Sequence, residues 1–257
     1  MISAEEKELF QTNGLLRIEN FLPVEIVTKA RDALVHYLSV EGLWRGDGSH
    51  LESLAARASN GPKVIASPKV SPLIGELITD AMRQATTELA DGQGLFAQGD
   101  YPHILFTPPN ATEWFVPHSV WHVDVPRMPN CPMPGVQIFT CLDTVVTGGG
   151  GTLVVAGSHR FVNENRRISS ADVKRKLKHI PYFRDLFSAS YPDRQRFLSE
   201  PVRVDGVDLQ IVELVGKPGD VYFTDMRVLH NAAPNAAQVP RLMLTHRFLR
   251  DSVRGAV

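Results

Sequence analysis

The sequence predicts an α+β chain that is mainly β, with helices packed on one face of a jelly-roll (cupin-like) core. Two observations support this fold class. Apolar residues follow helical spacing in residues 1–93, whereas beyond Gly94 the chain offers short runs rich in Val, Ile, Phe and Thr that Gly, Pro, Asn and Asp separate. Runs of that kind are typical of a β-sandwich or barrel. We expect one domain over residues 1–257, with its core at 94–250.

The predicted helices are identified by their first residues. Ser3 and Glu6 have the spacing of a capping box and predict a helix over residues 4–12. A second helix is expected to begin at Pro23, since proline is favoured in the first helical turn. A third is expected to begin at Ser71 and to continue to about Gly92. These helices would supply the layer that covers the core.

The predicted strands alternate with turn residues along the rest of the chain. A long loop over residues 42–67, without clear periodicity, separates the second and third helices. The candidate strands are 15–18, 101–107, 119–125, 136–142, 152–156, 201–204, 209–215, 220–224, 227–231 and 241–249.

Composition excludes several classes of protein. Hydrophobic residues make up 43% and charged residues 21% of the chain, and the net charge is -1. These values are ordinary for a globular protein and argue against partnership with nucleic acid, and no apolar run is long enough to cross a membrane. The acidic N-terminus lacks the pattern of a secretory signal, so we expect a cytoplasmic location, with Cys131 and Cys141 as reduced thiols.

A basic insertion interrupts the predicted strands at about residues 159–200. The stretch from Ser158 to Glu200 contains ten Lys and Arg residues and five Asp and Glu residues. Ser169 or Ser170 is expected to begin a helix within it. One interpretation is a solvated helix surface. The other is a basic lid that attracts an anionic ligand.

The residues that indicate chemistry are a histidine and an aspartate two positions apart. If residues 119–125 form a strand, His122 and Asp124 point to the same side and can reach one metal ion. The pair alone is weak evidence because the chain has nine histidines. His230 offers a third ligand, and Arg241 follows eleven residues later. Two His and one carboxylate with open positions suit mononuclear Fe(II), although Zn and Mn accept the same ligands.

Together these motifs resemble the phytanoyl-CoA dioxygenase family of Fe(II)/2-oxoglutarate-dependent oxygenases. The resemblance spans about residues 10–250 and rests on His122-Val-Asp124, the segment Gly150–His159, Pro218-Gly-Asp220, His230 with Pro234-Asn235, and Arg241. It implies a double-stranded β-helix core and iron bound by the two histidines and the aspartate. It also implies that 2-oxoglutarate and dioxygen are cosubstrates, and that Arg241 pairs with the distal carboxylate of 2-oxoglutarate.

The chain departs from the family pattern at Ala232, where members often have a serine that assists cosubstrate binding. Another hydroxyl or amide must then share that carboxylate, and the candidates are Thr140, Thr152, Gln137 and Tyr101. His118 is a candidate substrate contact because it flanks the metal pair, and Arg127, in the segment that follows the pair, is a candidate contact for an anionic group. The glycine run 148–151 joins two predicted strands, so it is interpreted as a hairpin instead of an anion-binding nest.

The resemblance implies oxidation of a C–H bond, most simply hydroxylation, with release of succinate and carbon dioxide. The expected substrate is a small organic or natural-product molecule, for which the basic insertion offers an anion contact. Asp124 favours oxygenation over halogenation, since halogenating relatives have a small residue there. Three alternatives stay open: a cupin-like hydrolase or isomerase with another divalent metal, a non-catalytic jelly-roll binding protein, and, from the basic insertion alone, a nucleic-acid demethylase.

Overall fold

Two antiparallel β-sheets form the core in the computed structural model, which describes residues 1–44, 62–124, 133–162 and 169–253. The strands in these ranges are β1 (Leu15–Ile18), β2 (Lys63–Ala66), β3 (Leu95–Ala97), β4 (His103–Thr107), β5 (Gly135–Cys141), β6 (Thr152–Ala156), β7 (Val202–Val204), β8 (Val207–Glu213), β9 (Val221–Asp225), β10 (His230–Ala232) and β11 (Arg241–Arg250). The α-helices are α1 (Ala4–Asn13), α2 (Val24–Val40), α3 (Asp80–Leu89), α4 (Ser170–Leu177), α5 (Pro181–Leu186) and α6 (Arg196–Ser199).

The order of the strands is that of a jelly roll. The major sheet runs β1-β9-β5-β11-β4-β2, with β3 also paired to β11, and the minor sheet runs β10-β6-β8-β7. The paired strands are antiparallel, and apart from β7 and β8, which follow each other directly, they are distant in sequence. The predicted fold class is therefore confirmed.

Strand periodicity gives the major sheet two different faces. In β5, Ile138 belongs to the cluster that includes helix residues such as Leu34 and Ile74, whereas Phe139 belongs to a separate cluster between the sheets. Successive side chains of a strand point to opposite faces, so the outer face is covered by α1 to α3 and the inner face is turned toward the minor sheet. The layer of N-terminal helices thus lies where the sequence predicted it.

The helices of the basic insertion cover the outer face of the minor sheet. Leu153 and Val155 of β6 belong to the same buried cluster as Val173 of α4, Phe183 of α5 and Phe197 of α6. The insertion is therefore amphipathic, with an apolar side that contributes to the core and a basic side that is exposed. Residues 163–168 of the insertion lie outside the described ranges.

Several predicted elements match and others need correction. The capping box of Ser3 and Glu6 is formed at α1. The predicted third helix is divided into a 3₁₀ helix, Pro72–Leu77, and α3, because Thr79 provides a new N-cap by accepting a hydrogen bond from the Met82 amide. The predicted loop 42–67 contains β2, and its residues 45–61 lie outside the described ranges.

The structure describes residues 119–124 of the predicted strand 119–125, and these residues do not form a strand. Their β-structure is a single bridge at His122. The reason is local: Val120 has a φ of 64°, which is incompatible with an extended strand. No helix in the described ranges has the length and hydropathy that a membrane span requires.

Candidate active site

The three predicted metal ligands lie together between the two sheets. Nε2 of His122 is 3.6 Å from Oδ1 of Asp124, and Nε2 of His230 is 3.6 Å from Oδ2 of the same carboxylate. One ligand atom from each residue can be chosen so that all three lie within 4.8 Å of one another. Two imidazoles and a carboxylate in this arrangement form a donor set that suits Fe(II) and leaves coordination positions open.

Backbone carbonyls orient both imidazole rings. Nδ1 of His122 lies 2.9 Å from the carbonyl of Val120, and Nδ1 of His230 lies 3.1 Å from the carbonyl of Val228. When Nδ1 donates its proton to a carbonyl, Nε2 keeps a lone pair for a metal. Burial, followed by the neighbouring His230, lowers the pKa of His122, which favours the neutral imidazole that a metal binds.

A strained segment presents His122 to the site. Val120 is exposed and has a φ of 64°, a conformation that β-branched residues rarely adopt. Neighbouring groups hold the segment in place: the amide nitrogen Nδ2 of Asn231 donates to the carbonyl of Ser119 at 2.6 Å, and Nε1 of Trp121 donates to the carbonyl of Pro117 at 2.8 Å. The backbone conformation therefore aims one ring at the metal position.

Asp124 accepts hydrogen bonds from two neighbouring strands of the major sheet. Its Oδ2 accepts from Nε2 of Gln137 at 2.7 Å and from Arg247, with Nη2 at 2.6 Å and Nε at 3.2 Å. Burial acts to raise the pKa of Asp124, but His230 and Arg247 more than offset burial, so the pKa lies well below its usual range. The carboxylate is thus ionised and fixed at neutral pH.

Arg241 is buried on the inner face of β11 and retains unused hydrogen-bonding capacity. Nη1 donates to Oγ1 of Thr152 at 3.0 Å, while Nε has no hydrogen-bond partner in the described residues. Burial lowers the pKa of Arg241 to about 10, and Cys141 and Glu213 act in the opposite direction. A desolvated guanidinium with an unpaired donor fits a carboxylate ligand such as that of 2-oxoglutarate.

A cavity of about 260 Å³ connects Arg241 with the metal ligands. Most of its walls come from the inner face of the major sheet. Its lining residues are Pro62, Lys63, Val64, His103, Leu105, His122, Asp124, Gln137, Phe139, Thr152, His230, Asn231, Ala232, Arg241, Thr245 and Arg247. The major and the minor sheet therefore both contribute polar groups, and Ala232 lines the cavity without a hydroxyl.

The other predicted site residues fall in different places. Gln137 and Thr152 line the cavity, but their polar groups contact Asp124 and Arg241. Thr140 is buried on the outer face of β5, opposite to Gln137, because the two positions differ by an odd number. The ring of Tyr101 packs against Gly75, where an added Cβ would come within 2.9 Å.

Of the two predicted substrate contacts, one lies away from the cavity and the other lies outside the described residues. His118 is exposed and is absent from the residues that line it in the described part of the chain. Arg127 and Cys131 lie outside the described ranges, whereas Cys141 is a buried free thiol. The substrate roles of His118 and Arg127 stay predictions.

Arg247 is a residue of the candidate site that the sequence interpretation missed. It lies six positions after Arg241 on β11, and an even separation on a strand places two side chains on the same face. Thr245, four positions after Arg241, lines the cavity for the same reason. Alternate positions counted along the strand from Arg241 would therefore have placed both Thr245 and Arg247 on the cavity face.

The glycine run 148–151 binds a carboxylate of the chain itself. The amides of Gly148 and Gly151 donate to Glu213 at 3.0 and 3.2 Å. Burial raises the pKa of Glu213, and these two amides oppose that effect. The run thus lies in the connection from β5 of the major sheet to β6 of the minor sheet, with its donors directed at Glu213. Because β5 and β6 do not pair, the predicted hairpin is wrong.

A second, wider groove adjoins the metal site on the side of the basic insertion. It is lined by His122, Val120 and Trp121, and across from them by α4 residues that include Lys174, Arg175 and Lys178. Oγ of Ser170, the first residue of α4, donates to the carbonyl of Val123 at 3.1 Å. The basic helix is therefore attached to the backbone between two of the candidate metal ligands.

Comparisons with solved structures agree with this architecture. The chain is similar to the non-haem alpha-ketoglutarate-dependent carbocyclase SnoK from nogalamycin biosynthesis (19% identity, TM-score 0.66, 96% of this chain and 84% of that chain covered). EvdO2 from Micromonospora carbonacea var. aurantiaca complexed with 2-oxoglutarate shares 18% identity (TM-score 0.58, 97% and 91% covered). EctD from S. alaskensis with bound Fe also shares 18% (TM-score 0.57, 98% and 78% covered).

The sequence itself determines the family. No curated protein matches the chain in sequence. The profile of the phytanoyl-CoA dioxygenase (PhyH) family, however, matches residues 10–243, which is most of the chain and includes all three candidate metal ligands and Arg241. The predicted enzyme class and the predicted cofactors, iron and 2-oxoglutarate, are confirmed with it. The chain therefore belongs to the phytanoyl-CoA dioxygenase family of iron- and 2-oxoglutarate-dependent oxygenases.

Proposed function

We propose that His122, Asp124 and His230 bind Fe(II), that Arg241 binds the distal carboxylate of 2-oxoglutarate, and that the enzyme hydroxylates a C–H bond of a small organic molecule. One observation supports this proposal above all others: a triad with metal-binding geometry lines the same cavity as a buried arginine, Arg241, whose Nε has no hydrogen-bond partner among the described residues. A metal-dependent hydrolase or isomerase has no need of such an arginine.

Different residues of the cavity would bind the cosubstrate and exclude water from the reacting groups. Arg241, supported by Thr152, would hold one end of the cosubstrate, which fixes the position of its keto acid end beside the triad. Phe139 and Leu105 provide apolar walls that exclude water from the reacting groups. Iron bound by the triad would supply the oxidising power from dioxygen and 2-oxoglutarate, with succinate and carbon dioxide as the products of the cosubstrate.

Asp124 supports oxygenation over halogenation. Its carboxylate occupies the third protein position of the triad and is held there by Gln137 and Arg247. A halide would need that position to be open. Hydroxylation of the substrate is therefore the outcome proposed for the native enzyme.

The charge of the surrounding groove supports a substrate with an anionic group. Lys174 and Lys178 lie on α4 beside His122, and Lys174 is also 5.5 Å from the ring of Phe187. An anion placed there would gain from both ammonium groups in a partly enclosed space. The apolar atoms of Val120 and Trp121 in the same groove suit the organic part of such a molecule.

Anaerobic titration tests the cofactor part of the proposal. Fe(II) followed by 2-oxoglutarate should produce a metal-to-ligand charge-transfer band, and admission of air should produce succinate. The oxygenase proposal fails if the protein binds Fe(II) but 2-oxoglutarate produces no band and is not consumed with any candidate carboxylic acid, amino acid, CoA thioester or neutral analogue. A hydrolase or isomerase with another divalent metal would then be the better explanation.

A substrate panel tests the anionic class. Carboxylic acids, amino acids and CoA thioesters should be compared with neutral amides or esters of matched size, with coupled succinate as the readout. Lys174→Gln combined with Lys178→Gln should raise KM for the anionic members while kcat stays nearly constant. Lys176→Gln, which removes an exposed charge outside the groove, is the matched control. An equal response of the neutral compounds would contradict an anion contact.

A further inference from the structure

Arg247 and Gln137 converge on one atom. The two residues stand directly opposite each other in the register of β11 and β5, and both donate to Oδ2 of Asp124. Arg247 is itself held in place by Gln98. Nη1 of Arg247 lies 3.4 Å from Oε1 of Gln98, and the backbone N–H of Gln98 donates to the backbone carbonyl of Arg247. A cross-strand pair on rigid strands thus fixes one oxygen of the carboxylate.

The other oxygen of Asp124 differs in its hydrogen bonds. Each oxygen lies 3.6 Å from one triad nitrogen, Oδ1 from Nε2 of His122 and Oδ2 from Nε2 of His230. Oδ2 accepts from Gln137 and Arg247, whereas within the described residues no hydrogen bond reaches Oδ1. The two oxygens are therefore unequal before any metal binds, because the lone pairs of Oδ2 are engaged and those of Oδ1 are free.

We propose that Arg247 is a positioning residue that makes Asp124 a monodentate ligand through Oδ1. This inference rests on the proposed iron site. A carboxylate that rotated to bind through both oxygens would occupy an additional coordination position. An octahedral metal with three protein ligand atoms keeps three positions, which is the number that a bidentate keto acid and dioxygen together need. Arg247 would preserve that number by engaging the lone pairs of Oδ2 in hydrogen bonds, which leaves Oδ1 for the metal.

The ion pair has a second possible consequence, which the test must separate from the first. An arginine that binds the carboxylate in the metal-free protein could compete with the metal. Competition predicts that loss of Arg247 tightens metal binding. Positioning predicts the reverse, because a carboxylate that is free to rotate must be ordered when the metal binds.

The experiment measures Mn(II) binding by electron paramagnetic resonance and the Fe(II)/2-oxoglutarate charge-transfer band under anaerobic conditions. Arg247→Met should raise the Kd for Mn(II) roughly 10- to 100-fold and shift the wavelength of the band, as expected for loss of a group that orients a metal ligand. Arg247→Lys keeps the charge but not the planar fork, so its values should fall between those of wild type and Arg247→Met. Arg83→Met is the control, because Arg83 belongs to α3 and lies over the ring of Phe248 on the outer face of the same sheet.

The outcomes separate this inference from the proposed function. If wild type binds neither Mn(II) nor Fe(II), the iron site itself fails. If wild type binds metal and Arg247→Met binds it as tightly or more tightly, with an unshifted band, the positioning role fails and the iron site stands. Should Arg247→Met not fold, Arg247→Lys and Gln137→Leu supply the same two readouts, and unchanged values in both would overturn the proposal.

Discussion

His122 and His230 are direct partners in an antiparallel bridge and exchange both backbone hydrogen bonds, at 3.0 and 2.9 Å. Their ring centroids are 4.3 Å apart. The bridge uses backbone groups alone, so it sets the separation of the two imidazoles independently of the side chains. The metal position is thus determined by the fold, although 108 residues separate the two histidines in sequence.

The first prediction follows from that independence. His230→Gln should leave the bridge and the fold intact but weaken Mn(II) binding by about 3 kcal/mol, roughly a hundredfold in Kd, because one of three ligands is lost. At a Mn(II) concentration about 100 times Kd, metal should stabilise wild type by about 2.7 kcal/mol. Thermal unfolding with and without Mn(II) measures both quantities.

The matched control for that measurement is His36→Gln. His36 is exposed on α2, so its variant should keep the full metal-dependent stabilisation. If His230→Gln retains the same metal-induced shift as wild type, His230 is not a ligand. If it unfolds without metal at a much lower temperature, the bridge depends on the side chain after all.

The predictable part of this protein was the part with local sequence patterns. The fold class followed from periodicity, and the capping box of Ser3 and Glu6 located α1 within one residue at its C-terminal end. The metal triad followed from residue types and order, together with the family resemblance. The enzyme class and cofactors followed in the same way and are confirmed by the family match over residues 10–243.

The unpredicted part depends on contacts between distant residues. Arg247 donates to Asp124, which lies 123 positions earlier in the sequence, and no local sequence pattern indicates that the two residues are in contact. Gln137 is one of four candidates for the cosubstrate in the sequence, and its contact with Asp124 is not indicated there, because a polar group on a strand does not show which neighbour it will contact. The strand predicted at 119–125 failed because the hydrophobic alternation there gave no sign of the positive φ at Val120.

The second prediction concerns the hydroxyl that supports Arg241. Thr152→Val removes the acceptor of Nη1 and should weaken 2-oxoglutarate binding by about 1 kcal/mol, roughly fivefold. Arg241→Met should weaken it by about 3 kcal/mol, because a charged hydrogen-bonding partner of the carboxylate is lost. Anaerobic titration with 2-oxoglutarate measures these affinities, and Mn(II) binding should be unchanged in both variants.

Thr140→Val is the control for Thr152→Val. Thr140 lies on the outer face of β5, so its hydroxyl should have no effect on 2-oxoglutarate affinity. A loss of affinity in Thr140→Val equal to that in Thr152→Val would place the cosubstrate elsewhere.

The third prediction concerns acid stability and His246. The side chain is buried, and its Nε2 has no hydrogen-bond partner in the described residues. Burial, followed by the charges of Arg83, His103 and Arg247, lowers the pKa of His246 to about 4. Since the unfolded value is about 6.5, the folded state binds fewer protons between these values. The stabilisation is complete above about pH 6.5 and is lost as the pH falls toward 4.

The expected loss from this single group is about 2.5 kcal/mol between pH 7 and pH 4.5. Urea unfolding at both pH values measures the free energy of unfolding. In His246→Phe, the difference between the two pH values should be smaller by about that amount, because other acidic groups titrate equally in both proteins. The same pH dependence in wild type and variant would show that His246 does not titrate in this range.

The fourth prediction concerns the role of the basic insertion in stability. The guanidinium of Arg194 donates to four backbone carbonyls, those of Val116 and Pro117 ahead of the metal segment and those of Leu186 and Ser188 in the insertion. Pro117 also accepts from Trp121, the neighbour of His122. Arg194 therefore ties the insertion to the segment that presents a metal ligand.

Arg194→Gln should lower the free energy of unfolding by about 2 to 4 kcal/mol, because several acceptors in a partly buried site lose a charged donor. Arg203→Gln is the matched control, since it removes an exposed ion pair with Asp208 and should cost less than about 1 kcal/mol. Because Arg194 also fixes the chain ahead of His122, Mn(II) affinity should fall several-fold in Arg194→Gln and not in Arg203→Gln. Equal stability of the two variants would mean that these hydrogen bonds do not hold the insertion. If Arg194→Gln loses stability but keeps its Mn(II) affinity, the insertion has no influence on the metal site.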